Sequence, residues 1–212
     1  MKQSAFNAFF MSLTYKTIQV PSIGIYKEKG SKFLSFAFPV STLEQAKELI
    51  DKHKKEYFDA RHVCYAYMLG NERDIFRAND DGEPSGTAGK PILGQLNSHQ
   101  LTDIIVIVVR YFGGVLLGTG GLTTAYKEAV NDAITNAELI EKTVKANITI
   151  RFDYLMLNDI MNISKLLNAQ ILEQEFDNEC RIKIAINKAD EAIAKAKLEQ
   201  LSIHSPIHIH FG

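Results

Sequence analysis

The sequence predicts an α+β protein in two parts, an N-terminal α/β domain over residues 1–140 and a smaller domain over residues 141–212. Three observations predict it. Residues 104–109 are a continuous aliphatic run bounded by polar residues, which reads as a central strand buried on both faces. Leu122, Ala125, Tyr126, Ala129, Val130, Ala133, Ile134 and Ala137 recur at helical spacing, the cleanest helix of the chain. The tail alternates short strand and helix patterns in the order βαββαβ, the ferredoxin-like arrangement.

The remaining elements follow in chain order. Residues 24–26 and 32–40 read as two strands around the Lys27–Ser31 turn. Ser41 followed by Glu44 fits a capping box, and Leu43, Ala46, Leu49, Ile50, Tyr57 and Phe58 give the helix after it one buried face. His53 falls on or near that face and reads as a packed or half-exposed histidine. Residues 62–69 alternate as a strand, with His62, Cys64 and Ala66 on one side and Val63, Tyr65 and Tyr67 on the other. Residues 73–77 read as a short strand, and residues 79–91 as a loop by composition. Pro91 suits a first helical position, opening a helix through Leu101. The long helix is expected to begin directly after Gly118-Thr119-Gly120-Gly121. In the tail, residues 147–154, 170–176, 181–187 and 207–211 read as strands, and 157–168 and 189–201 as helices. A boundary is expected near Glu141-Lys142.

Composition narrows the function classes. With 46% apolar and 23% charged residues in 212, the chain is of ordinary globular make-up, not disordered, collagen-like or coiled-coil. A net charge of −1 argues against a generically basic nucleic-acid coat. The charge is uneven, however: net +3 over residues 1–60, −1 over 61–128 and −3 over 129–212, so the front half better suits an anionic partner. Two distant cysteines and no secretory pattern point to a cytoplasmic protein. Residues 1–10 read as a loose extension, with Met11 as an alternative start. No apolar run approaches the roughly 20 residues of a membrane-spanning helix.

Nine of the 13 glycines lie between Gly82 and Gly121. Glycine is used where φ is positive or where something approaches the backbone closely, so a shaped loop surface is expected there. The candidate anion or phosphate site is Arg110, Gly113, Gly114, Gly118, Thr119, Gly120, Gly121 and Thr123. Free N–H groups at a helix start favour an anion. Threonine hydroxyls at Thr119, Thr123 and Thr124 would add donors, and Arg110 a charged fork. The alternative is a plain strand-to-helix turn. Lys32, His62, Asp80, Asp81, Glu83, Ser85, Thr87 and Lys90 are possible supporting residues. Asp80, Asp81 and Glu83 could hold Mg²⁺ but follow no calcium-loop spacing, and they equally suit an acidic turn. Cys64 beside His62 reads as a buried small hydrophobe rather than a nucleophile. His204, His208 and His210 read as a solvent-facing alternation. Nothing calls for a catalytic residue, a cofactor or a metal ion.

Four segments resemble one known family. Lys29–Phe33, Arg61–Tyr67, Asp80–Leu93 and Arg110–Leu122 are similar to the signatures of the IMPACT / YigZ family, in order and over residues ~13–137. The resemblance implies a first domain folded like the second domain of small-subunit ribosomal protein five, shared with domain IV of the translocating elongation factor. It implies a tail like domain V of that factor. It also implies a role in translation, since eukaryotic relatives act through the general amino-acid control kinase pathway. Two function classes then stand open. One is a non-enzymatic regulator that binds RNA or ribosomes through the Gly-rich loop, with Arg110, Lys90 and Lys32 supplying charge. The other is a phosphate-handling enzyme with a GHMP-kinase-like loop, in which Asp80, Asp81 or Glu83 holds Mg²⁺ and Lys90 faces the substrate. A protein-interaction module is a third possibility.

Overall fold

The computed structural model describes residues 13–177, 180–202 and 207–211. The expected extension, residues 1–10, and His204 lie outside them. The chain divides into two compact units, one of Tyr15–Lys142 and one of residues 13–14 and 143 onward.

A two-strand ribbon pairs β1 (Thr14–Ile18) with a later strand, Leu139–Thr143. The main sheet of the first unit holds β2 (Ser22–Glu28), β3 (Ser31–Pro39), β4 (His62–Leu69), β5 (Ile75–Asn79) and β6 (Ile104–Tyr111). Its order is β2-β3-β6-β4-β5 and every pair is antiparallel. β6 lies at the centre because both its faces are apolar. Ile104, Val106 and Val108 enter one core, and Ile105, Ile107 and Val109 the other. Each such side chain contributes about 1.5–3 kcal/mol of burial.

Helix α1 (Leu43–Glu56) covers one face, with Ala46 and His53 buried. The His53 ring packs beside Phe36, Phe38 and Tyr57, with Nδ1 2.8 Å from the Leu49 carbonyl. The cap of α1 sits one residue later than expected. Thr42 Oγ1 accepts the Gln45 N–H at 3.2 Å, and Gln45 Oε1 accepts the Ser41 N–H at 2.8 Å. Both Ser41/Glu44 and Thr42/Gln45 fit the capping pattern, and the second is the one formed in a helix that turns Ala46 and His53 inward.

Helices α2 (Gly89–Ser98) and α3 (Gly118–Thr135) cover the other face. Pro91 is the third residue of α2, not the first, and the helix stops short of Leu101. The chain turns through Gln100, at φ +55°, so that Leu101 is buried and donates its N–H to the Leu96 carbonyl. α3 begins at Gly118 rather than after Gly121, so the glycines form its first turn.

In the second unit, after β7 (Leu139–Thr143) has closed the ribbon, β8 (Lys145–Phe152), α4 (Leu157–Leu166), β9 (Gln170–Phe176), β10 (Cys180–Asn187), α5 (Glu191–Ser202) and β11 (Ile207–Phe211) follow in the order βαββαβ. The antiparallel sheet runs β11-β8-β10-β9. Ile148, Ile150, Ile182, Ile184 and Ile186 form its core with Ile160 and Leu198. His208 and His210 alternate outward on β11. The edge strand β9 carries Glu173 and Glu175, paired with Arg181 and Lys183 on β10. Charges on an edge discourage pairing with another chain. The architecture is thus α+β, with separate antiparallel sheets in the two units.

Candidate functional site

The loop between β5 and α2 is built by its acids. Asp80 Oδ1 accepts the N–H groups of Ala88 and Gly89 at 3.0 and 2.8 Å, and Oδ2 that of Gly86 at 2.8 Å. Burial alone would raise the Asp80 carboxyl, but these three donors outweigh it and hold the group below its ordinary value. Asp81 binds Lys54 Nζ at 2.7 Å and the Val63 N–H at 2.8 Å. Glu83 is buried, and its Oε1 accepts from Arg110 Nη1 at 2.5 Å and Tyr126 Oη at 2.9 Å. Each carboxylate therefore faces a different partner. Among the described residues, no cluster of three or more His, Cys, Asp or Glu could hold a metal ion. Against the expectation that Asp80, Asp81 or Glu83 holds Mg²⁺, all of their carboxylate oxygens but Glu83 Oε2 already accept hydrogen bonds within the fold.

Asp80→Asn should cost about 2–3 kcal/mol, since a neutral acceptor replaces a charged one under three N–H donors. The sign of the pH effect follows. A carboxyl depressed in the folded state stabilises the protein above its unfolded value of about 3.9, and that stability is lost as pH falls through the lower folded value. Melting curves between pH 2.5 and 6 should converge for wild type and Asp80→Asn at the acid end. Parallel curves would overturn the assignment.

Behind this loop lies a buried polar cluster. Cys64 Sγ donates to the Asp80 carbonyl at 2.9 Å and sits 3.3 Å from Tyr126 Oη. Burial pushes both the Cys64 thiol and the Tyr126 hydroxyl well above their usual values, so neither ionises near neutrality. His62 Nδ1 lies 2.8 Å from the Asp81 carbonyl, a contact in which it must be the donor. Nε2 is then left 3.8 Å from Glu83 Oε2.

A cavity of about 510 Å³ opens over this cluster. Its polar floor includes Arg61, His62, Glu83 and Arg110, and its far wall is the start of α3, Gly118, Thr119 and Leu122. Leu117 precedes α3 and no side chain caps the helix, which leaves the first-turn N–H groups without a side-chain acceptor beside exposed Gly118, Thr119 and Gly120. Gly118 takes φ +70°, a left-handed conformation that suits glycine at this bend. Apolar residues rim the mouth: Phe112 is 48% and Leu116 83% exposed.

The structure sorts the candidate residues. Arg110 is 5% exposed, lies between the rings of Phe33 and Phe112, and turns Nη1 to Glu83. It is not the free surface fork expected of it, although its buried Nε has no hydrogen-bond partner. The Thr123 and Thr124 hydroxyls donate to the Thr119 and Gly120 carbonyls at 2.9 and 3.1 Å, so in this structure they point back along the helix. Helix-interior threonines commonly bond back in this way. Thr87 is buried and donates to the Pro84 carbonyl at 2.6 Å. Ser85 and Lys32 are exposed, and neither lines the cavity. Gly113 answers to packing against Gly30, Gly114 to a φ of +86°, and Gly121 lies 3.1 Å, at its Cβ position, from Leu117 Cβ. Gly120 alone of the α3 glycines has helical backbone and open space where a Cβ would be. Residues not foreseen as part of the site include Arg61, Phe112, Leu116 and Leu117 around the cavity and Tyr126 bonded to Glu83. The signal for three of them was present, as large apolar residues inside a glycine-rich segment.

Fold and site together define a two-unit α+β protein whose first unit carries a cavity between an acid-built loop and an open helix start. The family model for the Impact N-terminal domain matches residues 29–134, which contain the whole cavity. The chain is 41% identical to IMPACT family member YvyE of Bacillus subtilis over 145 residues, 68% of this chain and 66% of that protein. It is 35% identical to IMPACT family member YigZ of Escherichia coli over 176 residues, 82% of this chain and 86% of that protein. The crystal structure of a hypothetical protein superposes with a TM-score of 0.75 at 31% identity, over 93% of this chain and 96% of that one. The chain belongs to the IMPACT family.

Among the described residues no helix is long and apolar enough to cross a membrane.

Proposed function

We propose that this protein is a non-enzymatic, translation-associated regulator that binds RNA, free or in the ribosome, by a phosphate at the start of α3. The observation that carries it is an uncapped helix N-terminus opening on a cavity with both arginine and apolar walls. Uncapped N–H groups and the helix dipole favour a phosphate there. Phe112 offers a face on which a base can stack. Arg61 is exposed at the cavity and adds a charge that is not committed to Glu83. The likeness that the family implies to ribosomal and elongation-factor domains supports RNA over other phosphate carriers. The GHMP-kinase-like alternative is weakened by the engagement of Asp80, Asp81 and Glu83. A protein partner is a second reading, favoured by the exposure of Val115 and Leu116 beside the cavity.

The test is Thr119→Asp, with Thr119→Asn as the uncharged control. A carboxylate in the first turn of a helix stabilises it by about 0.3–1 kcal/mol, but here it would repel a phosphate. Fluorescence anisotropy with a labelled ten-nucleotide single-stranded RNA should show at least tenfold weaker binding for Thr119→Asp, with an equal or higher melting temperature. Wild-type affinity should fall with salt by about 0.7 log units per phosphate contact and tenfold rise in salt. Absence of wild-type binding at low salt, or equal binding by Thr119→Asp, would overturn the RNA reading. Leu116→Ser that leaves RNA affinity intact but abolishes co-sedimentation with salt-washed ribosomes would favour the protein partner.

A further inference from the structure

A second cavity, of about 550 Å³, lies between α2 and α3. Gly86, Lys90, Gly94 and Asn97 line it from one side, Thr123 and Lys127 from the other. It borders the first cavity. Pro84 lines the first and Gly86 the second, while Thr119 lines the first and Thr123, one helical turn on, the second. Thr123 Oγ1 donates to the Thr119 carbonyl at 2.9 Å, so the two cavities meet α3 at consecutive, hydrogen-bonded turns.

The chemistry of this second cavity is one-sided. No carboxylate lines it. Lys54, Lys183 and Lys188 pair with Asp81, Glu173 and Glu191, whereas most other described lysines have no ion-pair partner; Lys90 and Lys127 stand apart from those in facing one cavity together. Lys90 and Lys127 are exposed, and among the described residues neither has an ion-pair partner. Asn97 accepts from Arg73 Nη2 at 2.7 Å through Oδ1, which leaves its NH₂ as the donor still to be satisfied. Gly94 stands in the middle of α2, where glycine weakens a helix relative to alanine. A Cβ there would meet nothing within 4 Å, so packing does not require the glycine. A ligand lying against that face would.

We propose that the two cavities form one track for single-stranded nucleic acid, in which Lys90, Lys127 and the Asn97 amide hold the phosphate next to the one at the start of α3. This rests on the anion site proposed above and extends it from one phosphate to a strand. Two unpaired ammonium groups without a neighbouring acid complement a phosphodiester backbone, and the apolar walls of the first cavity supply the base contacts that an acidic peptide could not use.

The experiment compares wild type, Thr119→Asp and the double variant Lys90→Ala/Lys127→Ala, using labelled decauridylate and, by calorimetry, uridine monophosphate. Both lysines are exposed, and a matching melting temperature verifies the fold. The double variant should bind decauridylate at least tenfold more weakly at 50 mM salt. Its salt slope should be shallower by about 1.4, two phosphate contacts at about 0.7 each. Its affinity for uridine monophosphate should stay within twofold of wild type. The track is overturned if decauridylate affinity and slope are unchanged in the double variant while Thr119→Asp weakens binding, or if both ligands weaken equally. It is also overturned if polyglutamate competes as well as RNA at equal charge. If wild type binds neither ligand, the anion site fails and the track with it.

Discussion

Glu83→Ala should lower the stability of the folded protein by about 3–5 kcal/mol, the range for removing one partner of a buried ion pair. Glu83 is buried, and so is the guanidinium of Arg110 that it holds at 2.5 Å. The same oxygen accepts from Tyr126, whose ring lies in the core against Phe33. Removing the carboxylate leaves a buried cation and a buried hydroxyl without their shared acceptor. The cost lies in that orphaned charge more than in the lost attraction, so Glu83→Leu combined with Arg110→Met should recover much of the loss. Urea unfolding with an unchanged m-value is the appropriate measurement. A loss under about 1 kcal/mol for the single variant would mean that the pair is not buried as described. Glu83→Gln separates stability from function. It keeps an acceptor for Arg110 and Tyr126 but leaves a net positive charge on the cavity floor. Anion affinity should therefore rise while stability falls, two opposite signs from one atom exchanged.

How far the sequence reached depended on whether a residue's role was set by neighbours close in the chain. β6 was legible because all of residues 104–109 are aliphatic, and the observed core receives them alternately on its two faces. The buried face of α3 was legible from its spacing, but its start was not. Gly118, Thr119, Gly120 and Gly121 carry no apolar repeat, so nothing marked them as a helical turn. A helix begun after Gly121 leaves Thr123 and Thr124 in its first turn with no carbonyl four residues back inside the helix, whereas a helix begun at Gly118 offers them those carbonyls. In the sequence Arg110 stands as a free charge, because Glu83 lies 27 residues away on another element. Only the folded sheet sets the end of β6 beside that loop. Lys127 looked like an ordinary polar-face residue, since its distinction is the lack of any acid across the α2–α3 groove. The roles of the glycines were mixed in the same way, some required by backbone contact and others not.

Gly113→Ala should prevent folding or cost more than about 4 kcal/mol, beyond the range of ordinary substitutions. A Cβ on Gly113 would lie 1.9 Å from the Gly30 carbonyl carbon and 2.1 Å from the Ser31 nitrogen. Both are backbone atoms, so no side-chain rotation relieves the overlap. The obstruction is mutual, because a Cβ on Gly30 would come 2.8 Å from the Gly113 oxygen, and Gly30 itself takes φ +81° in the β2–β3 turn. That turn cannot retreat, being fixed by the paired register of Glu28 with Ser31 and of Lys32 with Tyr111. The Gly113 N–H donated to Ser31 Oγ at 3.2 Å would also be lost. Gly120→Ala is the counterpart within the same cluster. Its Cβ enters open space on helical backbone, so the fold should gain about 0.5–1 kcal/mol. Measured side by side in urea, the two variants should move in opposite directions. If Gly113→Ala folds with near wild-type stability, the close approach of the Gly30 turn is wrong. If Gly120→Ala is destabilised, the glycine at the start of α3 serves the fold, and its openness to a phosphate loses its support.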